Sequence, residues 1–231
     1  MMTRVLSEML SSSSGRDKIV RTISYASLCL SGLGSEDRSW VKKLEIVSTQ
    51  LNQFRTVSRL FDDLAMLKYS ISYGLGREEK DKILRILGIM SNIVDQLYYP
   101  LEHIAWASDN KLISLKSGSD SWWLASTVCW CISLYLQLLR SLRLFSNAQK
   151  ALKNCQGDAQ RAAALRANQR SYLLIATQVT LDLGHAVHWL PEGFLWGGKV
   201  STWKRGVLGT LSSLIGIYMA VKLLSKNKQC D

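Results

Sequence analysis

The chain has 231 residues, a formal net charge of +11 and only two prolines, Pro100 and Pro191. That length supports one or two domains with a real core. The charge suits an anionic surface, membrane or nucleic acid, and a mean hydropathy near zero is too low for a polytopic transporter and high for an ordinary basic soluble protein.

No alternating strand pattern of useful length occurs, so the fold reads as all-α, a membrane protein with one or two spans and a large amphipathic remainder. Five cysteines, Cys29, Cys129, Cys131, Cys155 and Cys230, form no C-x-x-C pair and read as reduced thiols. The first fifteen residues contain Glu8 and no apolar run, which does not fit a signal peptide. The tail KNKQCD matches neither the peroxisomal matrix address nor an ER-retention signal.

In chain order, Ser11 to Gly15 reads as a linker. Gly15 to Leu33 reads as a helix with Ile19, Ile23, Ala26 and Leu30 on one face, ended by Gly32 and Gly34. Ser35 is a good N-cap for a second, longer helix. From there to Gly74 no Pro or Gly interrupts the chain, so one helix of many turns is expected. Trp40, Leu44, Val47, Leu51 and Phe54 fall at spacings of 4, 3, 4 and 3. The stripe continues through Val57, Leu60, Leu64, Leu67 and Ile71, slipping sideways near Val57. Lys42, Lys43, Arg55 and Arg59 occupy the opposite side.

Such a stripe has two uses. It can be the core face of a helical bundle. It can also enter a membrane interface, apolar side down and basic side at anionic headgroups. There each cation adds roughly 1 kcal/mol, and each fully buried large apolar side chain ~1.5–3 kcal/mol.

Glu78 to Tyr98 reads as the next helix, with Ile83, Leu87, Met90, Val94 and Leu97 as its stripe. Pro100 is expected to kink or break it, with a short resumption to Ala107. The polar stretch 111–121 then marks a boundary between an interfacial amphipathic region, 1–110, and a membrane-anchoring region, 111–231.

Residues 121–139 carry no charge and would be ~28 Å long as a helix, close to the ~30 Å hydrocarbon core. Trp122 and Trp123 mark one end and Arg140 and Arg143 the other. Ala159 to Leu190 reads as an amphipathic helix with Tyr172, Ala176, Val179, Leu183, Val187 and Leu190 on its stripe. Asp182, His185 and His188 speak against its spanning, so it is expected to lie at the interface or pack on another helix. Residues 206–221 form a second uncharged candidate span. It holds Gly206, Gly209, Thr210, Ser213 and Gly216, small residues that let membrane helices approach closely.

Little argues for catalysis. Asp182, His185 and His188 share a face but lack the further ligand a metal needs. The pairs Glu102–His103 and Asp62–Asp63 suggest no acid–base role, and no phosphate loop, nucleophile elbow or zinc motif occurs. No catalytic, cofactor-binding or metal-binding residue is therefore expected, and the chain is read as not an enzyme. Nucleic acid is set aside as a partner, because the basic residues flank apolar stripes and no recognition motif is present.

Several stretches together resemble the peroxisomal membrane protein 11 family, and its gamma (C) type in particular. They are GRDKIVR from Gly15, RLFDDLAM from Arg59, YGLG from Tyr73, DQLYYP from Asp95 running into Glu102-His103 and Ala105-Trp106-Ala107, AVHWLP from Ala186, and GTLSS from Gly209. Their order and spacing cover nearly the whole chain. The resemblance implies a multi-pass protein of the peroxisomal membrane with both termini cytosolic, promoting peroxisome elongation and division and controlling peroxisome number and size. It implies self-association, pairing with other family members, and cooperation with a tail-anchored fission adaptor and a dynamin-related GTPase. It also implies an amphipathic helix that remodels the membrane. That role falls on Trp40, Leu44, Val47, Leu51 and Phe54 as membrane-inserting residues, with Lys42, Lys43, Arg55 and Arg59 at the headgroups.

Two other readings stay open, a small-solute pore or channel regulator and a soluble helical scaffold. One observation pulls against the family topology. Residues 140–205 hold ten Lys and Arg. The positive-inside rule would place that stretch in the cytosol.

Overall fold

A computed structural model describes residues 2–35, 37–116, 118–155 and 158–227. The tail from residue 228, with Lys228 and Cys230, lies outside the described residues. Eight α-helices and one 3₁₀ turn make up the regular structure, and no strand occurs among the described residues. Cys29, Cys129, Cys131 and Cys155 are free thiols.

The chain divides into two compact units. The first contains residues up to Ser58 together with those from Lys199 onward, and the second is Arg59–Gly198. The polar loop 110–119, where composition suggested a boundary, lies inside the second unit.

The first unit begins with α1 (Met2–Ser11) and α2 (Ser13–Ser31). The expected linker shrinks to Ser12, whose side chain caps α2 by accepting from the Gly15 N–H at 3.1 Å. The long helix expected from Ser35 starts later, and it is broken. α3 covers Ser39–Arg59 and α4, in the second unit, covers Asp63–Tyr73. Towards the break, the Thr56 and Ser58 hydroxyls donate back to the carbonyls of Asn52 and Phe54. Such back-bonding competes with the helix ladder. The Asp62 N–H turns back to the Arg59 carbonyl at 3.0 Å, and a separate helix begins at Asp63. The sideways slip of the stripe near Val57 is thus a change of helix. The last element of the first unit is α8 (Thr202–Asn227).

In the second unit, Gly74 and Gly76 adopt φ of 51° and 59°, and α4 stops there. α5 runs over Lys82–Asp109 without stopping at Pro100. Pro100 lies on the exposed face, while Asn92, Glu102 and Ala105 pin the other face, so the missing hydrogen bond does not end the helix. The acidic residues before α5 are outside it, and Asp81 is its N-cap, accepting from the Ile83 N–H at 2.9 Å. α6 extends over Asp120–Lys153, taking in both the apolar stretch and the basic one after it. α7 covers Ala159–Ala186 and closes with a 3₁₀ turn at Val187–Trp189.

α6 is the centre of this unit, with α5 along one side and α7 along the other. Trp123 donates to Asp109 at 2.7 Å at one end of the α5–α6 pair, and Arg143 donates to Asp81 at 2.8 Å at the other, so the two are antiparallel. Leu134, Val179 and Ala186 form the core between α6 and α7, with Trp130, Leu138, Ile175 and Leu183 around them.

Candidate membrane interface

α2 buries Ser24, Tyr25, Ser27 and Ser31. Its expected apolar face points outward, and Ile23 and Leu30 are exposed. The buried face meets the glycines of α8. A Cβ on Gly206 would stand 2.3 Å from the backbone nitrogen of Cys29, and one on Gly209 would stand 2.3 Å from the Tyr25 ring. One on Gly32 would stand 2.4 Å from the backbone nitrogen of Trp203. The two backbones therefore approach as closely as glycine permits, and they run antiparallel. Farther along, Arg21 donates to the Ser212 hydroxyl at 3.3 Å.

α3 returns along α2. Val41 packs on Gly34, the Ser24 hydroxyl donates to the Ser48 carbonyl at 3.0 Å, and Arg55 Nε donates to Asp17 Oδ1 at 2.8 Å. The protein-facing line of α3 is thus Val41, Ser48 and Arg55, mostly polar. Val47 and Phe54 face away from it, Phe54 being 52% exposed; Trp40 is exposed as well but rests the edge of its ring on Gly34, and Leu44 and Leu51 are half-buried.

The four candidate headgroup cations divide. Lys42 and Lys43 are exposed. Arg55 is held by Asp17, and Arg59 by Glu102, with Nε 3.0 Å from Oε2 and Nη2 on Oε1. Glu102 is only 2% exposed and also accepts from the Tyr98 hydroxyl at 2.7 Å. Sequence reasoning gave Glu102 no role. Its signal was a carboxylate in a stretch otherwise poor in charge, which has to find a buried cation.

The second unit repeats the polarity inversion. Asn92, Glu102, Ser126, Asp182 and His185 are buried, while Ile83, Ile86, Met90, Ile93 and Leu97 of α5 are exposed. His185 lies edge-on to Trp130 at 6.1 Å and meets Trp189 Nε1 at 3.3 Å. Asp182 faces inward with it. Among the described residues, no three His, Cys, Asp or Glu side chains gather to hold a metal. At the opposite end of α6, Arg143 and Asn147 converge on the Asp81 carboxylate. The guanidinium first, and then the amide, hold its carboxyl well below the usual carboxylate range.

Two helices, Asp120–Lys153 and Thr202–Ser225, are long and apolar enough to cross a membrane. Only 22% of the apolar window of each is buried inside the protein, whereas the core helix of a soluble protein would be mostly covered. Several buried polar groups, broad exposed apolar faces and two such helices define an all-α membrane protein.

The comparisons with known proteins place it further. The family Peroxisomal biogenesis factor 11 (PEX11) matches residues 2–221. Peroxisomal membrane protein 11C of Homo sapiens is 38% identical over 227 residues, covering 94% of this chain and 93% of the relative. Peroxisomal membrane protein 11C of Mus musculus is 40% identical over the same shares. No solved structure matches the chain. The chain belongs to the PEX11 family, peroxisomal membrane proteins implicated in peroxisome biogenesis.

Proposed function

We propose that this protein remodels the peroxisomal membrane, promoting elongation and division and thereby setting peroxisome number and size, and that it is not an enzyme. The observation that carries the reading is the outward apolar edge of α3, Trp40, Val47 and Phe54, beside the exposed Lys42 and Lys43. This edge enters the bilayer, with Leu44 and Leu51 at its margin, and the two lysines meet anionic headgroups. Because α3 is packed on α2, and α2 on α8, the wedge is the whole unit rather than a helix lying alone. Arg55 holds that geometry from within, and Arg59 serves Glu102 in the second unit. Self-association, with copies of this chain and with other family members, concentrates the added area until the membrane bends. Recruitment of a tail-anchored fission adaptor and a dynamin-related GTPase completes division.

In this reading α6 and α8 cross the membrane and both termini are cytosolic. The antiparallel α2–α8 pair supports the second point, since it brings the start of α2 level with the end of α8.

The test uses the full chain reconstituted in anionic vesicles. Lys42→Glu with Lys43→Glu is expected to abolish tubulation while leaving the protein inserted. Unchanged tubulation by the double variant would overturn the headgroup role.

A further inference from the structure

We propose that α5 and α7 cross the bilayer alongside α6, making the second unit a three-helix transmembrane array. The inference rests on α6 being a span, as read above.

Length comes first. Between Arg170 and Glu192 Asp182 is the only Asp, Glu, Lys or Arg in 21 residues, and α7 with its 3₁₀ turn carries that stretch as helix as far as Trp189. At ~1.5 Å per residue this reaches about 30 Å, the thickness of the hydrocarbon core. From Arg85 to Lys111, α5 holds only Asp95, Glu102 and Asp109, over a comparable length.

The second argument is where those charges go. Asp182 is 6% exposed and His185 4%, both turned toward α6. Glu102 is ion-paired, and Asp95 is half-buried near Ser133 of α6. Acids inside a membrane segment are tolerated where they face the bundle interior with a partner. The objection that Asp182 and His185 raised to α7 as a span is thereby removed, and His188 lies in the 3₁₀ turn at the end of the segment.

The outer faces complete the case. On α5 the outward line is Ile83, Ile86, Met90, Ile93, Leu97 and Pro100, without a polar residue. On α7 it includes Leu173, Thr177 and Thr180. Both threonine hydroxyls are satisfied within the helix, donating to the Leu173 and Ala176 carbonyls at 2.9 and 2.8 Å. Water is not needed by either face, and hydrocarbon suits both.

Charge then orients the array. One end of the three helices carries four Lys and Arg in 77–85 and seven in 140–170. The other end carries two in 110–119 and none in 186–198, and it gathers Trp106, Trp122, Trp123, Trp189 and Trp196. The positive-inside rule puts the first end in the cytosol, and the tryptophans mark the opposite interface. With α7 crossing, the basic stretch after α6 is cytosolic, and the conflict between charge and a cytosolic C-terminus disappears.

The experiment is spin-label accessibility on the full chain in vesicles, its cysteines replaced by serine and single cysteines placed at Ile93, Thr177, Val128 and Arg77. Ile93 and Thr177 are expected to match Val128 of α6, with strong oxygen broadening and loss of the nickel-chelate broadening seen at Arg77. Nickel access at Ile93 and Thr177 equal to that at Arg77, with Val128 shielded, overturns the proposal alone. Nickel access at Val128 as well overturns the α6 span and the proposal with it. A second measurement needs no substitution. A membrane-impermeant maleimide applied to intact peroxisomes, read by peptide mapping, is expected to label native Cys155 between α6 and α7. Protection of Cys155 until the membrane is opened overturns the crossing of α7.

Discussion

The two candidate spans solve the same problem with opposite means. α8 is covered by α2 through Gly206, Gly209 and the serines of both helices, so backbone meets backbone at Gly206, the Tyr25 ring fills the space over Gly209, and neither glycine leaves room for a side chain of its own. α6 is covered on two sides through large side chains, with Leu134, Trp130 and Leu138 against α7. Its contact with α5 is fastened at one end by the Arg143–Asp81 ion pair and at the other by the Trp123–Asp109 hydrogen bond. In a membrane no hydrophobic effect drives helices together, so either close packing or polar fastening has to do it. The glycine seam gains dispersion contacts and tolerates no added atom. The fastened array depends on its charges.

The largest expected effect breaks the comparison at the seam. Gly206→Leu places its first side-chain atom inside the backbone of Cys29. The α2–α8 pair is expected to separate entirely, read as lost protease resistance of residues 13–58 in micelles, while the second unit keeps its own. Retained resistance would show that the backbones are not in contact.

The next effect tests polar fastening. Arg59→Ala leaves Glu102 buried without its cation, and removing one partner of a buried pair costs about 3–5 kcal/mol. The loss is expected in chemical denaturation of the second unit. A cost near that of an exposed pair, ~0.2–1 kcal/mol, would show that water or lipid headgroups reach the site.

The smallest sharpens the contrast through pH. Asp81→Asn keeps an N-cap but loses the charge that Arg143 pairs with. The Asp81 carboxyl is depressed in the folded state, so its contribution is complete above the unfolded value of roughly 4 and is lost as pH falls toward the folded value. The stability difference between wild type and variant is expected to be constant above about pH 5 and to shrink in more acid solution. A difference that grows on acidification would mean that the ion pair does not hold α5 to α6.

Much was legible before the structure. Helical class followed from two prolines and 3.6-residue spacing, the two candidate spans from unbroken uncharged length, and the family from motifs spread along the chain. The α3 edge at Trp40, Val47 and Phe54 was readable as a stripe. What periodicity could not supply was which way a stripe faces. In water an apolar stripe faces the protein, and on that assumption Ile23, Leu30, Met90 and Leu97 would be core. The structure exposes all four and buries Ser24, Ser27, Asn92 and Glu102 instead.

Sequence alone therefore determined the helical class, where a bilayer can be crossed by composition, and which residue types sit together on each helix face. Those are local properties, set by backbone propensity and by spacing along one chain. The tertiary structure decided the partners: that Arg55 and Arg59 serve Asp17 and Glu102, that the run from Ser35 to Gly74 holds two helices, that Pro100 does not end α5, and that Asp182 and His185 turn inward. Each depends on a contact between residues distant in sequence. A hydrophobic pattern shows that a face is apolar, and only the packing shows whether protein covers it.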